Sequence, residues 1–210
     1  MSALLAVARA LSAWARSWSA SAAAALLAPP LRDMPPAPRL VVVGLGNWGS
    51  IATRHSVGAA VVRHLAARRG LVWHRDKLAQ VASDGQVVLV EPRLFMNESG
   101  RCIRPLLKST GAKPANLLVV HDDLERALGK LSMKTGGSAN GHNGLRSIIS
   151  MIGQDFDRLR VGIGRPADRN QVANYVLQEF SPSEREALER ASADAVDMIE
   201  RIVADQGARS

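Results

Sequence analysis

The stretch Arg39-Leu40-Val41-Val42-Val43-Gly44-Leu45-Gly46-Asn47-Trp48-Gly49, followed within one loop by Thr53-Arg54-His55, decides how the rest of the chain is read. Its apolar run predicts a buried strand over residues 39–45, and the glycines close it in a tight turn. Two readings of that turn compete. As G-x-G-x-x-G it brings backbone against a pyrophosphate at a helix N-terminus, the signature of an NAD(P)-binding oxidoreductase. As an Asn and a His delivered together to the end of a central strand, it is half of a hydrolytic site.

The dinucleotide reading requires a helix opening at the third glycine and an acidic residue about 20 positions further on, at the end of a second strand. Here Gly49 leads into a polar loop, the strand candidate over residues 71–73 is weak, and Asp76 lies too far along. The hydrolytic reading gains support downstream. Apolar runs and turn signals alternate as in a single α/β domain, a twisted mixed β-sheet with helices on both faces. Strands are predicted over 86–91, 117–120, 129–135 and 158–164. Helices are predicted over 56–69, stopped by Gly70, and over 101–109, between an N-cap near Ser99 and Gly111. A last long helix starts at the capping box Ser181-Pro182-Ser183-Glu184 and runs toward Gly207.

Four polar clusters fall at strand ends or in loops: Asn47 with His55, Met96-Asn97, His121-Asp122-Asp123, and the glycine-rich segment Gly136-Gly137-Ser138-Ala139-Asn140-Gly141-His142-Asn143-Gly144. In open α/β sheets, sites form beyond the carboxyl ends of strands, so the four predict one shared site. A neutral imidazole can take a proton from water if a carboxylate fixes its tautomer, and Asp122 is placed to serve His55 in that way. A helix-capping His and a turn Asp are the rival readings of the same two residues. Asn47, Asn97 and Asn143 carry amides that can hold a water or a developing oxyanion, or can simply make turns. Asp122 and Asp123 together suggest Mg²⁺, but adjacent residues on a strand point to opposite faces, and no metal ligand set is expected. There is no G-x-S-x-G, H-E-x-x-H, C-x-x-C or P-loop lysine pattern, and no cofactor is implied.

The 210 residues carry a formal charge of +8, which favours a polyanionic partner. Lys130 and Lys134 before the glycine-rich segment, and Arg158, Arg160, Arg165 and Arg169 after it, are candidate phosphate contacts. The first thirty residues hold no acid, are rich in Ala, Ser and Leu, and place Arg9 and Arg16 off an apolar helical stripe. Residues 1–38 therefore read as an organelle transit peptide ending in a Pro-rich linker, and residues 39–207 as the domain. A secretory leader is the rival; the two arginines and the lone Cys102 weigh against it. Without residues 1–38 the chain still has 24 basic against 18 acidic residues. No apolar run reaches the roughly 20 residues that span a bilayer, so no membrane partner is expected.

Taken in order, Val43-Gly44-Leu45-Gly46-Asn47, Thr53-Arg54-His55-Ser56-Val57-Gly58, Phe95-Met96-Asn97-Glu98-Ser99-Gly100, Val120-His121-Asp122-Asp123-Leu124, Gly141-His142-Asn143-Gly144-Leu145 and Arg158-Leu159-Arg160-Val161-Gly162-Ile163-Gly164-Arg165-Pro166 closely resemble the bacterial-type peptidyl-tRNA hydrolase family. The resemblance spans about residues 39 to 182. It implies a metal-free, usually monomeric α/β enzyme that cuts the ester between a peptide and the 3′ end of tRNA, here a mitochondrial matrix or cytoplasmic member. Carried over, His55 is the general base and Asp122 orients it, while Asn47 and Asn97 hold water and substrate. Met96 lines the pocket, Asn143 and His142 contact the peptide or terminal adenosine, and Lys134, Arg160 and Arg169 meet tRNA phosphates. The chain departs from the family pattern at Trp48, in a shortened loop from Asn47 to His55 without its usual Tyr, at Ser56 and at Asp123. A non-catalytic RNA-binding relative of the organelle splicing-factor type is the competing class.

Overall fold

The computed structural model describes residues 38–208; the transit peptide and most of the Pro-rich linker expected from the sequence lie outside them. Seven strands form one sheet in the order β2-β3-β4-β1-β5-β7-β6. They are β1 (Leu40–Gly44), β2 (His74–Arg75), β3 (Ala79–Ser83), β4 (Val87–Pro92), β5 (Leu117–Asp123), β6 (Leu131–Thr135) and β7 (Asp157–Gly162). The centre, β4-β1-β5-β7, is parallel. The margins β2, β3 and β6 run antiparallel to their neighbours, which gives the mixed sheet that the sequence predicts. Central strands are buried on both faces, and for that reason β1, β4 and the start of β5 read as unbroken Val/Leu runs.

Helices cover both faces. Helices α1 (Val57–Arg68) and α5 (Pro182–Ala208) lie on one, where Val61, Leu65, Val196 and Ile199 pack on Val42, Leu89 and Leu118. On the other, α2 (Gly100–Thr110) and α3 (Asn143–Ile152) bring Ile103, Leu107, Leu145 and Ile148 against Val41, Val43 and Val119. A short α4 (Val172–Leu177) lies between β7 and α5. Among the described residues no helix is long and apolar enough to cross a membrane.

Strand β1 sits between β4, next to it on one side, and β5 on the other, so the connections leaving it diverge and open a crevice at its carboxyl end. Close approach of α1 to that end depends on two glycines. A Cβ on Gly44 would lie 2.4 Å from the Gly58 carbonyl oxygen, and one on Gly58 would lie 2.1 Å from the Val120 carbonyl oxygen. The dinucleotide reading fails on this geometry, because α1 opens at Val57, well beyond Gly49, and a 3₁₀ turn at Arg54–Ser56 intervenes.

Four elements depart from expectation. Helix α3 begins inside the glycine-rich segment that the sequence shows only as a loop, and β3 and α4 have no sequence signal as strong as their neighbours. The weak strand expected over 71–73 is displaced to the two-residue β2.

Candidate active site

The β1–α1 connection places the buried His55, 9% exposed, in the Arg54–Ser56 turn, and Asp122, 4% exposed, is the penultimate residue of β5. His55 Nδ1 lies 2.8 Å from Asp122 Oδ1. An ionised carboxylate only accepts, so Nδ1 carries a proton, and in the neutral ring Nε2 keeps its lone pair. Nε2 makes no hydrogen bond to any described residue. That is the state a general base requires.

A second histidine reaches the same oxygen: His142 Nε2 lies 3.0 Å from Asp122 Oδ1. Its tautomer is set by the fold. His142 is the N-cap of α3, and its Nδ1 accepts from the backbone N–H groups of Gly144 at 3.1 Å and Leu145 at 3.3 Å. With Nδ1 acting as acceptor, the proton resides on Nε2 and points at Asp122. Burial alone would raise the Asp122 carboxyl, but the imidazole of His142 and the N–H bonds from His142 and His55 outweigh it and hold the group well below the usual carboxylate range. Asp122 is thus a fixed anion at neutral pH.

His55, Asp122 and His142 are also the one group of potential metal ligands that converges among the described residues, with donor atoms within 4.8 Å of one another. The donor set does not suit a cation. Metal binding at His142 Nε2 would move its proton to Nδ1, against two backbone N–H groups that already point there.

Behind this pair stands His121, 4% exposed, to which the sequence assigned no role. Its ring meets the His142 ring edge-on at 5.0 Å, and its Nδ1 donates to the Asp122 carbonyl at 2.7 Å. Burial, with His142 and Arg158 beside it, pushes its pKa down to about 3, so it is a neutral wall of the site. Asp123 turns the other way, toward Arg126 and Arg160, each at 3.5 Å, as alternation along a strand demands.

Asn47 follows β1 and is tied on both sides. Its backbone N–H donates to Ser56 Oγ at 3.1 Å, and its side-chain Oδ1 accepts the Met96 N–H at 2.8 Å, which aligns the β4–α2 turn with the His55 turn. Met96 is buried, and its sulfur occupies the space where a side chain on Gly144 would stand, 2.5 Å from that Cβ position. Asn97, in the middle of the Met96–Glu98 turn, and Asn143, the first residue of α3, are exposed. Exposed Phe95 and half-buried Trp48, whose ring packs 4.9 Å from the Arg93 guanidinium, sit in the same connections.

Of the basic residues, Lys134 and Arg160 fall on one face of the sheet: Lys134 pairs with Arg158 and Ser132 with Arg160, and directly paired residues project to the same side. Arg169 stands apart, in the exposed turn Arg169–Gln171. Arg158 belongs to the framework. It is 1% exposed, its Nη1 donates to the Ser138 carbonyl at 2.7 Å and its Nη2 to that of Gly137, so it clamps the loop that leads to His142.

A carboxylate-anchored imidazole with one open nitrogen, at the carboxyl ends of parallel strands of an α/β fold, is an arrangement able to activate a water. Known proteins narrow the class. The family model described as peptidyl-tRNA hydrolase matches residues 41–210. The peptidyl-tRNA hydrolase of Mycobacterium tuberculosis is 45% identical over 177 residues, covering 80% of this chain and 92% of its own. A probable peptidyl-tRNA hydrolase of Mus musculus is 44% identical over 173 residues, covering 78% and 85%. The crystal structure of peptidyl-tRNA hydrolase from Acinetobacter baumannii aligns with a TM-score of 0.76 at 33% identity, covering 83% of this chain and 93% of that one. The chain belongs to the bacterial-type peptidyl-tRNA hydrolase family.

Proposed function

We propose that this protein hydrolyses the ester joining a peptide to the 3′ end of tRNA, with His55 as general base. The observation that carries the assignment is the bond from His55 Nδ1 to Asp122, which leaves Nε2 open, in a chain of this family. Nε2 takes a proton from water as the water attacks the ester carbonyl, and Asp122 stabilises the imidazolium that forms. The leaving group is a ribose hydroxyl, which departs far more readily than an amine. An activated water and an oxyanion partner are therefore sufficient for the chemistry.

Asn47 is assigned to the water and the ester, supported by its fixed place between Ser56 and Met96. Asn97 and Asn143, exposed on the turns that border the crevice, are assigned to the peptide and the terminal nucleotide. Met96 lines the wall between them. His142 engages both ring nitrogens within the protein, so its assignment moves from substrate contact to holding Asp122. Lys134, Arg160 and Arg169 are assigned to tRNA phosphates, on the strength of the chain's net positive charge and the shared face of the first two.

Residues 39–207 form the working domain in this reading, and residues 1–38 direct a monomeric enzyme to the mitochondrial matrix. The test is release of peptide from purified peptidyl-tRNA by the protein and by its His55→Ala variant. Release by the former at least about 10³-fold faster is expected. Equal inertness of both, with RNA binding intact, would instead establish a non-catalytic RNA-binding relative.

A further inference from the structure

Arg54 precedes His55 in the chain and takes no part in the chemistry above. Its side chain is buried, at 8% exposure, and its guanidinium lies 4.3 Å from the ring centre of Tyr175 and 4.7 Å from that of Phe180. Nη1 and Nη2 donate to the two carboxylate oxygens of Glu184 at 2.9 and 2.8 Å. The Arg54 backbone N–H donates to the Gln178 carbonyl at 2.9 Å, and Thr53 forms a β-bridge with Glu179. All these contacts come from one strap, residues 175–184. The strap is itself pinned: Tyr175 Oη donates to the Ile163 carbonyl at 2.6 Å, and Glu184 accepts the Ser181 N–H at 2.8 Å to close the capping box of α5.

A partly buried ion pair such as this one is a poor device for stability alone, since apolar residues of the same volume often serve as well. What a two-pronged guanidinium fork packed on two rings supplies is geometry. The fork fixes distance and direction to the carboxylate, and the rings fix its plane. His55 shares the same 3₁₀ turn, so the frame that holds Arg54 also sets where Nε2 points.

We propose that Arg54 is a positioning residue for hydrolysis: clamped by Glu184, Tyr175 and Phe180, it aims the His55 imidazole at the attacking water. The inference rests on His55 being the general base. Misplacing a reacting group by about 1 Å can cost about 100-fold in rate with little change in binding. The strap and the start of α5 therefore belong to the catalytic frame although they reach no substrate.

The experiment is steady-state hydrolysis of purified peptidyl-tRNA by the full chain and by Arg54→Gln, Arg54→Lys, Glu184→Gln, His55→Ala and the double variant Arg54→Gln/His55→Ala. Arg54→Gln and Arg54→Lys are expected to lower kcat about 10- to 100-fold with KM within about twofold. Lysine keeps the charge but loses the fork, so it does not rescue. Once the base is gone its aim no longer matters, and the double variant is expected to match His55→Ala. Glu184→Gln retains the capping acceptor and guards against a fold that Arg54→Gln does not tolerate. If Glu184→Gln and Arg54→Lys fold and keep kcat within about twofold, or if the Arg54 and His55 effects multiply, the proposal is overturned. An active His55→Ala variant would instead overturn the general-base assignment on which it rests.

Discussion

Two imidazoles share one oxygen of Asp122, and they are held by unlike means. His55 rides on a short turn that the strap stitches to α5, and only its Nδ1 is engaged. His142 starts a helix, and backbone N–H groups on one side and Asp122 on the other consume both of its nitrogens. From residue types alone either could be the base. In the proposed reading, the difference in what their second nitrogens touch separates a proton acceptor from a brace.

That contrast is open to direct challenge. The largest effect is expected from His55→Ala, which should lower kcat/KM about 10³- to 10⁴-fold in peptide release from peptidyl-tRNA. Asp122→Asn, which upsets the tautomer while keeping the shape, should cost about 10²- to 10³-fold in the same assay. His142→Asn keeps a good N-cap for α3 but loses the ring donor to Asp122, and a loss of about tenfold is expected. A loss as large as that of His55→Ala would erase the distinction between base and brace. Acid should loosen the His55 side specifically. The bidentate bond from Arg54 holds the Glu184 carboxyl at about 2, against an ordinary value of about 4.3. Stability from this group is therefore complete above about pH 4.3 and lost as pH falls through about 2. Over that window the melting temperature of the protein should fall more steeply than that of Glu184→Gln. The smallest change concerns recognition: Arg160→Ala should leave kcat nearly intact and reduce the dependence of log K on log salt by about one unit in tRNA titrations.

The sheet was legible because buried parallel strands leave unbroken apolar runs, as in Leu40-Val41-Val42-Val43 and Leu117-Leu118-Val119-Val120. Strand β3 was not, since Ala79-Gln80-Val81-Ala82-Ser83 contains a single β-branched residue and no aromatic. Helix α3 was masked by its own start: the glycines before it read as a loop, and its N-cap is a histidine where Ser, Asp or Asn is the familiar signal. Yet the apolar spacing of Leu145, Ile148, Ile149 and Ile152 would have revealed the helix. Within the site, His55 and Asp122 could be paired from their chemistry and their places at strand ends. Arg54 could not be paired, because its carboxylate partner lies 130 residues away in a helix that chemistry gives no reason to consult. The second role of His142 was hidden for a similar reason, since a tautomer is written in hydrogen bonds and not in spacing.

The contact between Gly58 and the Val120 carbonyl lies three residues beyond His55 and two before Asp122. No side chain cushions it, so α1 and β5 meet backbone to backbone at a point common to both partners. A side chain at Gly58 would push α1 off β5 and with it His55 away from Asp122, as two needles mounted on one pivot. The rim of the crevice, built from exposed Phe95, Asn97 and Asn143, takes no part in this contact.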